Sequence, residues 1–308
     1  MDDAAALDSL FREAVSAVDA GDAPALERLL TAHPRLVRDR LDSAGAWLCD
    51  KVGDALVGFF EKPYLLWFVA EDPVRNGKLP KNIAEVARII IHAAQREKVD
   101  SLREQLDYVL RLVCWSWIAR ECGVQIELMS VLIDVGASLD GATVYHGRFG
   151  THCDCAIYNG NFAAAEYLLG RGASLTLSTA LCLGRWADVR RLAGTATLEQ
   201  RQDAFVLAAL NGKADALREM LALGVHPTTV SAQNQSRAHR PASRGVVRLA
   251  RCGQSPGRGR CRSGQARHYS RRNPARLGRI CPAGAEAGVS RQQYAEIAAY
   301  LRERGAPA

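Results

Sequence analysis

The sequence predicts an all-α fold built from short helix pairs, and three observations support this. A unit of glycine, polar turn, apolar-striped helix and closing glycine recurs along the chain. The 308 residues are 48% hydrophobic but only 6% aromatic, a composition that suits helices better than strands. No segment alternates apolar and polar residues as a strand does. The length fits one large domain or two ordinary ones.

The recurring unit is the strongest of these signals, because self-similarity at a fixed spacing is typical of repeat proteins. The copies lie at residues 19–34, 123–141, 158–175, 183–194 (shortened) and 210–227. In the two clearest copies 12 residues separate the first glycine from the closing one, Gly160 to Gly172 and Gly212 to Gly224. The first glycine permits the positive φ that a sharp turn between antiparallel helices requires.

The helix after each turn carries a narrow apolar stripe at i, i+3 and i+4. The predicted stripes are Ala165, Leu168 and Leu169 in one copy and Leu217, Met220 and Leu221 in another. First helices are predicted at 7–20, 155–159, 179–183 and 204–211, and further helices at 82–97 and 101–119. Because such short helices are marginal alone, we expect the pairs to stack.

Two segments hold the densest apolar material, PYLLWFVAEDP at residues 63–73 and CWSWIA at residues 114–119. We predict that both fill the core of a divergent N-terminal part spanning residues 46–119. The alternative is that an exposed tryptophan, Trp117, anchors a partner.

Residues 151–175, THCDCAIYNGNFAAAEYLLGRGASL, resemble a degenerate ankyrin repeat. The residues on the ankyrin pattern are Thr151, Asp154, Ala156, Gly160, Ala165, Leu168, Leu169, Gly172 and Ala173. His152 and Cys153 replace the usual Pro and Leu. The resemblance covers residues 5–228 and implies an ankyrin-type solenoid of about seven helix-turn-helix units. It also implies a scaffold for protein–protein recognition that has no chemistry of its own.

The chain divides by composition into a repeat array at 1–229, an Arg/Gly/Pro-rich stretch without regular structure at 230–288 and a terminal amphipathic helix at 289–305. Thirteen arginines and no acidic residue lie between 237 and 279, and the remaining 27 basic residues are outnumbered by 33 acidic ones. We expect this Arg-rich segment to be disordered or poorly packed. The terminal helix is predicted from the stripe Tyr294, Ile297, Ala298 and Leu301.

Residues 230–285 also admit ankyrin sequence in a shifted coding frame. With the last two bases of each codon joined to the first base of the next, 239–246 admits TALHHAV, 256–262 admits LVEAGA, and 273–282 admits TPLGWAEYA. These phrases follow the order and spacing of ankyrin repeats. We hypothesise that the Arg-rich segment is frame-shifted repeat sequence, in which case the repeat ending at Val225 loses its C-terminal neighbour.

Two clusters resemble metal half-sites. His152, Cys153 and Cys155 have suitable side chains, but C-x-C is not the usual knuckle spacing, and Cys153 takes an apolar position of the repeat. The second cluster has spacings that are wrong for paired ligands; it comprises Cys252, Cys261, Cys281, His239 and His268. We predict no metal and no cofactor.

Catalytic patterns are missing from the sequence. It contains no nucleophile elbow, P-loop, dinucleotide-binding glycine motif or H-E-x-x-H. Asp134, Asp140 and His146 lie near one another along the chain, but no nucleophile accompanies them. Acidic side chains on outward helix faces, such as Glu166, are expected to be solvated. We predict that the protein is not an enzyme and has no small-molecule substrate.

The predicted function is a non-catalytic protein–protein interaction scaffold whose partner the sequence does not identify. The turns at 138–150, 174–177 and 226–229 would form its binding surface. The loop at 140–150 is the predicted contact element, with Tyr145, His146, Arg148 and Phe149 as protein-binding residues. The alternative, which we disfavour, is a nucleic-acid-binding protein that acts through the Arg-rich stretch at 237–279.

The sequence also bears on the compartment. Its acidic N-terminus has neither the basic nor the apolar part of a secretory signal. The longest apolar run, YLLWFVA at 64–70, is far shorter than a membrane span requires. An odd count of nine cysteines without a regular framework favours free thiols. We therefore predict a cytoplasmic protein without membrane association.

Overall fold

The computed structural model describes residues 3–141 and 150–225, together with Glu296, Ala299 and Tyr300. Each regular element in these ranges is an α-helix or a 3-10 helix, and none is a strand, which confirms the all-α prediction. The chain divides into two compact units, Met1–Thr176 and Leu177–Ala308. In the described ranges, no helix is both long and apolar enough to cross a bilayer.

The first unit contains most of the helices. They are α1 (Asp3–Ala20), α2 (Ala23–Ala32), α3 (Arg35–Arg38), α4 (Ala46–Val52), 3-10 helices at Gly53–Val57 and Leu65–Ala70, α5 (Ile83–Arg96), α6 (Leu102–Trp115), α7 (Trp117–Glu121), α8 (Gln125–Asp134), α9 (His152–Tyr158) and α10 (Phe162–Gly170). The second unit contains α11 (Leu177–Cys182), α12 (Trp186–Thr195), α13 (Leu198–Leu210) and α14 (Ala214–Ala222).

Helix pairs pack side by side in residues 102–176, which we call the paired segment. Helix α6 contacts α8 and α9, and α10 contacts both α8 and α9. The first helix of one pair therefore lies against the first helix of the next, and the second against the second. Within the second unit, α11 packs on α12 and α13, and α13 packs on α14.

The turn glycines adopt the predicted left-handed conformation. Between the two helices of a pair, φ is 72° at Gly123, 71° at Gly160 and 66° at Gly212. A side chain in this region is strained by contact between its Cβ and the following carbonyl oxygen. Only glycine avoids that strain, so the recurring glycine fixes where each pair turns.

The buried stripe of the second helices confirms two of the three predicted positions and differs at the third. In α10 the buried residues are Ala164, Ala165 and Leu168, whereas Leu169 is half-buried. Helix α14 repeats this arrangement with Ala216, Leu217 and Met220. Helix α10 packs on both α8 and α9. Its contact face includes Ala164 and Ala165, whose small side chains let the neighbouring helices approach closely.

Two predicted helix boundaries are wrong. The single helix predicted at 101–119 breaks at Ser116, whose hydroxyl accepts a hydrogen bond from the Ala119 N–H and caps α7. Gly194 does not close the shortened copy but lies inside α12, which ends at Thr195. The predicted first helices are present and begin earlier than expected; α13 starts at Leu198 because Thr197 and Gln200 form a capping box.

Residues 35–82, which we call the irregular segment, contain only short α-helices and 3-10 helices. The 3-10 helix Leu65–Ala70 is buried at every position, and Trp67 packs against Phe60 and against Tyr108 of α6. This confirms that the aromatic stretch at 63–73 fills the core. In the second aromatic stretch Ile118 is buried, but Trp117 is 45% exposed.

A buried ion network holds the turn that follows this 3-10 helix. Glu71 adopts a left-handed conformation with φ of 51°, and its carboxylate accepts hydrogen bonds from the backbone N–H groups of Arg75, Asn76 and Gly77. The Arg75 guanidinium lies 2.6 Å from Asp19 of α1 and 3.1 Å from the second Glu71 oxygen. Both Glu71 and Arg75 are excluded from solvent, so each neutralises the other's buried charge.

Candidate interaction surface at the turns

Carboxylates tie the turns of the paired segment to one another. The Ser138 N–H donates to Asp107 of α6 at 2.6 Å. Ser174 donates to Asp140 twice, from its N–H at 2.8 Å and from its hydroxyl at 2.6 Å. Asp140 therefore joins two successive turns, whereas Asp107 joins a turn to the first helix of the pair that precedes it. We call Ser138, Asp140, Ser174 and Thr176 the turn surface.

Two residues at the N-terminus of α9 hold one turn of this surface in place. The Thr151 hydroxyl accepts a hydrogen bond from the Asp154 N–H and caps the helix. The Asp154 carboxylate in turn accepts a hydrogen bond from the Thr176 hydroxyl at 2.6 Å. The Thr and Asp of the repeat pattern therefore serve the surface, because one caps the helix while the other fixes the next turn.

His152 lies buried directly under the turn surface. A methyl group added to Gly141 would lie 2.9 Å from the imidazole Cε1, so this turn closes tightly over the ring. Burial lowers the pKa of His152 to about 4, and the Arg111 cation adds to the lowering. The imidazole is neutral at physiological pH and packs as part of the core.

The thiols near His152 are buried and protonated. Burial raises the pKa of Cys155 to about 12. Burial and the neighbouring Cys155 likewise raise the pKa of Cys114 well above its ordinary value. A thiolate is the form that attacks or ligates, so these thiols behave as small core side chains. Among the described residues, no three His, Cys, Asp or Glu side chains are grouped to hold a metal ion.

The predicted contact residues lie outside the described residues. These are Tyr145, His146, Arg148 and Phe149. The described chain reaches Gly141 on one side of them and resumes at Gly150 on the other. Both ends adjoin the turn surface, since Asp140 binds Ser174 and Asp154 binds Thr176. The turn at 226–229 and the Arg-rich stretch at 237–279 also lie outside the described residues, as do the predicted boundaries at 229 and 289.

The candidate acids have structural partners where the structure describes them. Asp134 lies on α8 and pairs with Arg171 of α10 at 2.6 Å, which lowers the pKa of Asp134. Asp140 is the acceptor for Ser174. Glu166 is exposed on α10, as predicted.

Sequence reasoning missed the roles of Asp107 and of the Glu71–Arg75 pair. Asp107 reaches a turn 31 residues further along the chain, and no local spacing predicts such a contact. The Thr151–Asp154 spacing was visible and typical of a helix N-cap, so that part of the surface had a sequence signal.

Comparisons with known proteins give no relatives for this chain. No family model matches it, and neither the curated proteins nor the solved structures provide a match.

Proposed function

We propose that the protein is a non-catalytic protein–protein interaction scaffold of the ankyrin type, with the turn surface and the adjoining loop as its binding site. The observation that carries the proposal is that carboxylates hold the turns in place: Asp140 ties two successive turns together, and Asp107 and Asp154 each tie a turn to the first helix of the pair before it. A surface whose turns are fixed before binding loses little conformational entropy when a partner docks.

The packing of the helices supports the same proposal. First helices lie against first helices and second against second in the paired segment, as repeat stacking requires. Left-handed glycines recur at the same point of each pair. Stacked pairs of this kind present their turns along one edge, where a partner protein reaches several of them together.

The chemistry of the surface suits a polar protein partner. The described part presents the hydroxyl of Ser174 beside the carboxylate of Asp140, and the predicted loop adds Tyr145, Arg148 and Phe149. Tyrosine and arginine are among the residues that contribute most to protein interfaces.

Affinity purification followed by mass spectrometry tests this function. The bait is the full chain, compared with a variant that carries alanine at Tyr145, His146, Arg148 and Phe149. We expect a set of proteins that the wild type captures and the variant loses. Glu166→Ala is the matched control because Glu166 is exposed on α10, away from the turns. Identical captured sets for the wild type and the loop variant would contradict the proposal.

A second candidate function is nucleic-acid binding, because 13 arginines with no acidic residue lie between 237 and 279. Such binding weakens steeply as salt increases, since each phosphate contact releases counterions. A fluorescent DNA duplex titrated at two salt concentrations distinguishes it. Binding that falls with salt and disappears on deletion of 237–279 would favour this candidate over the scaffold.

A further inference from the structure

The second unit contains a contact between its last described helix, α14, and the C-terminal end of the chain. The Arg218 guanidinium lies 5.3 Å from the centroid of the Tyr300 ring, a cation–π distance. Glu296, Ala299 and Tyr300 are helical. Tyr300 is half-buried, whereas Glu296 and Ala299 are exposed. One side of this helical segment therefore faces protein and another faces solvent.

Counting back from the closing glycine gives the second helices a common pattern. In α10 the buried residues are the eighth, seventh and fourth before Gly172, and in α14 they hold the same positions before Gly224. Leu128, Met129 and Leu132 hold them before Gly136 in α8. The C-terminal segment has a closing glycine at Gly305. Its residues at the same positions are Ile297, Ala298 and Leu301, all apolar.

The fifth residue before the closing glycine faces the preceding second helix. In α14 this residue is Glu219, which pairs with Arg190 of α12 at 3.7 Å. In the C-terminal segment it is Tyr300, which meets Arg218 of α14. The contact of Tyr300 with α14 is thus the contact that the pattern assigns to the next second helix of the stack.

In the first unit, the fifth residue before the closing glycine of α10 is also a tyrosine with an arginine partner. Tyr167 is the fifth residue before Gly172. The Arg171 guanidinium donates one hydrogen bond to the Tyr167 hydroxyl at 2.8 Å and another to Asp134 of the preceding α8 at 2.6 Å. A tyrosine at this position, paired with an arginine, therefore occurs at two interfaces between second helices.

We propose that residues 294–305 dock on α14 as the next second helix of the stack. In this arrangement residues 294–305, which are distant from α14 in sequence, pack beside it. The face of α14 that a further repeat would cover is then occupied by this segment. The occupant is this segment, because Tyr300 already contacts α14.

Hydrogen exchange of the full-length protein tests the docking. We compare the wild type with Leu301→Asp and Tyr300→Ala, and use Glu296→Ala as the matched control because Glu296 is exposed on the same segment. We expect amides in Ala214–Ala222 to exchange about tenfold faster or more in Leu301→Asp, and by a smaller factor in Tyr300→Ala. Unchanged exchange of α14 in both variants would overturn the proposal.

Two further readings keep the result specific. Amides of α5 and α6 in the first unit should exchange at wild-type rates in every variant. Faster exchange of these amides in Leu301→Asp would mean that this variant unfolds as a whole. The exchange of α14 in Tyr300→Ala, the milder change, then decides whether the segment docks. Exchange measured at several protein concentrations shows whether the segment on α14 belongs to the same chain.

Protection of α14 by residues 294–305 of the same chain is independent of protein concentration. Protection that falls on dilution would assign the contact to a second copy and reject docking within one chain.

Discussion

The paired and irregular segments of the first unit satisfy buried backbone in two different ways. In the paired segment, helices bond internally and glycines such as Gly123 turn the chain. In the irregular segment, one carboxylate, that of Glu71, accepts three backbone N–H groups that no helix satisfies. Where no helix satisfies the backbone, a side chain can therefore supply the missing acceptor, and the stability of that turn then depends on this one residue.

The largest effect is expected at the ion network of the irregular segment. Glu71→Ala leaves three backbone N–H groups without their acceptor and removes the fully buried countercharge of Arg75, which keeps only its contact with the part-exposed Asp19. We expect a loss of about 3–5 kcal/mol in the free energy of unfolding, the usual cost of breaking a buried pair. Urea unfolding followed by tryptophan fluorescence measures it.

Glu71→Gln is the matched control, since its carbonyl oxygen still accepts from the backbone while the ion pair is lost. We expect an intermediate loss for this variant. If Glu71→Ala costs less than about 1 kcal/mol, the range of an ordinary surface change, the irregular segment does not depend on this residue and the comparison fails.

The next effect concerns acid and the paired segment, through His152. Its pKa is about 4 in the folded protein because of burial, against about 6.5 when exposed in the unfolded chain. As pH falls, the unfolded state takes up the proton first. The stabilisation is complete above about pH 6.5 and is lost progressively down to about pH 4, by about 3 kcal/mol for this shift.

Urea unfolding of the wild type and His152→Met at pH 7.5 and at pH 4.5 isolates this contribution. The difference in stability between the two proteins should change with pH in the stated direction, whatever other groups titrate. A difference that is equal at both pH values would mean that the folded imidazole titrates as an exposed one.

The third effect compares glycines with the same backbone angle in different surroundings. Gly21 has φ of 69°, and an added Cβ would lie 2.3 Å from the Asn82 side chain and 2.8 Å from Pro80 at the end of the irregular segment. Gly123 has φ of 72° and open space around it. We expect about 1–2 kcal/mol for Gly123→Ala from backbone strain, and more for Gly21→Ala, about 2–4 kcal/mol, because packing adds to the strain.

Thermal unfolding of the two variants measures this comparison. Equal losses would show that only the backbone angle matters and that contact with the irregular segment adds nothing. A larger loss of stability for Gly123→Ala than for Gly21→Ala would contradict the open space assigned to Gly123 and the close packing assigned to Gly21.

These contrasts show how far the sequence predicts the fold. Turns at Gly160 and Gly212 follow from spacing, since only glycine adopts their angles without strain. Two of the three stripe positions were predicted correctly, but Ala164 and Ala216 are buried where Leu169 and Leu221 were expected to be, because α10 also packs on a second neighbour, α8. The turn at Glu71 had no local signal, since its partners Arg75 and Asp19 are brought together only by folding.

The candidate site was predictable to a similar degree. The turn at 138–141 lies where the repeat spacing predicted one, and Thr151 and Asp154 were singled out only through the ankyrin pattern, not as a helix cap. The tie between Asp107 and Ser138 was not, because the two residues are 31 positions apart in sequence and meet only when α6 packs on α8. Local patterns predict where a turn lies, whereas the contacts that hold it in place are long-range.

The smallest effect is expected at the helix break inside the paired segment. Ser116 is buried, and its hydroxyl is the acceptor for the Ala119 N–H at 3.1 Å. Ser116→Ala should cost about 1 kcal/mol, the value of an N-cap, as measured by urea unfolding. Ser130→Ala is the control, because the Ser130 hydroxyl only donates to exposed Asp134. If both changes cost the same, the cap does not hold the break at Ser116, and the paired segment depends on single side chains less than the irregular segment does.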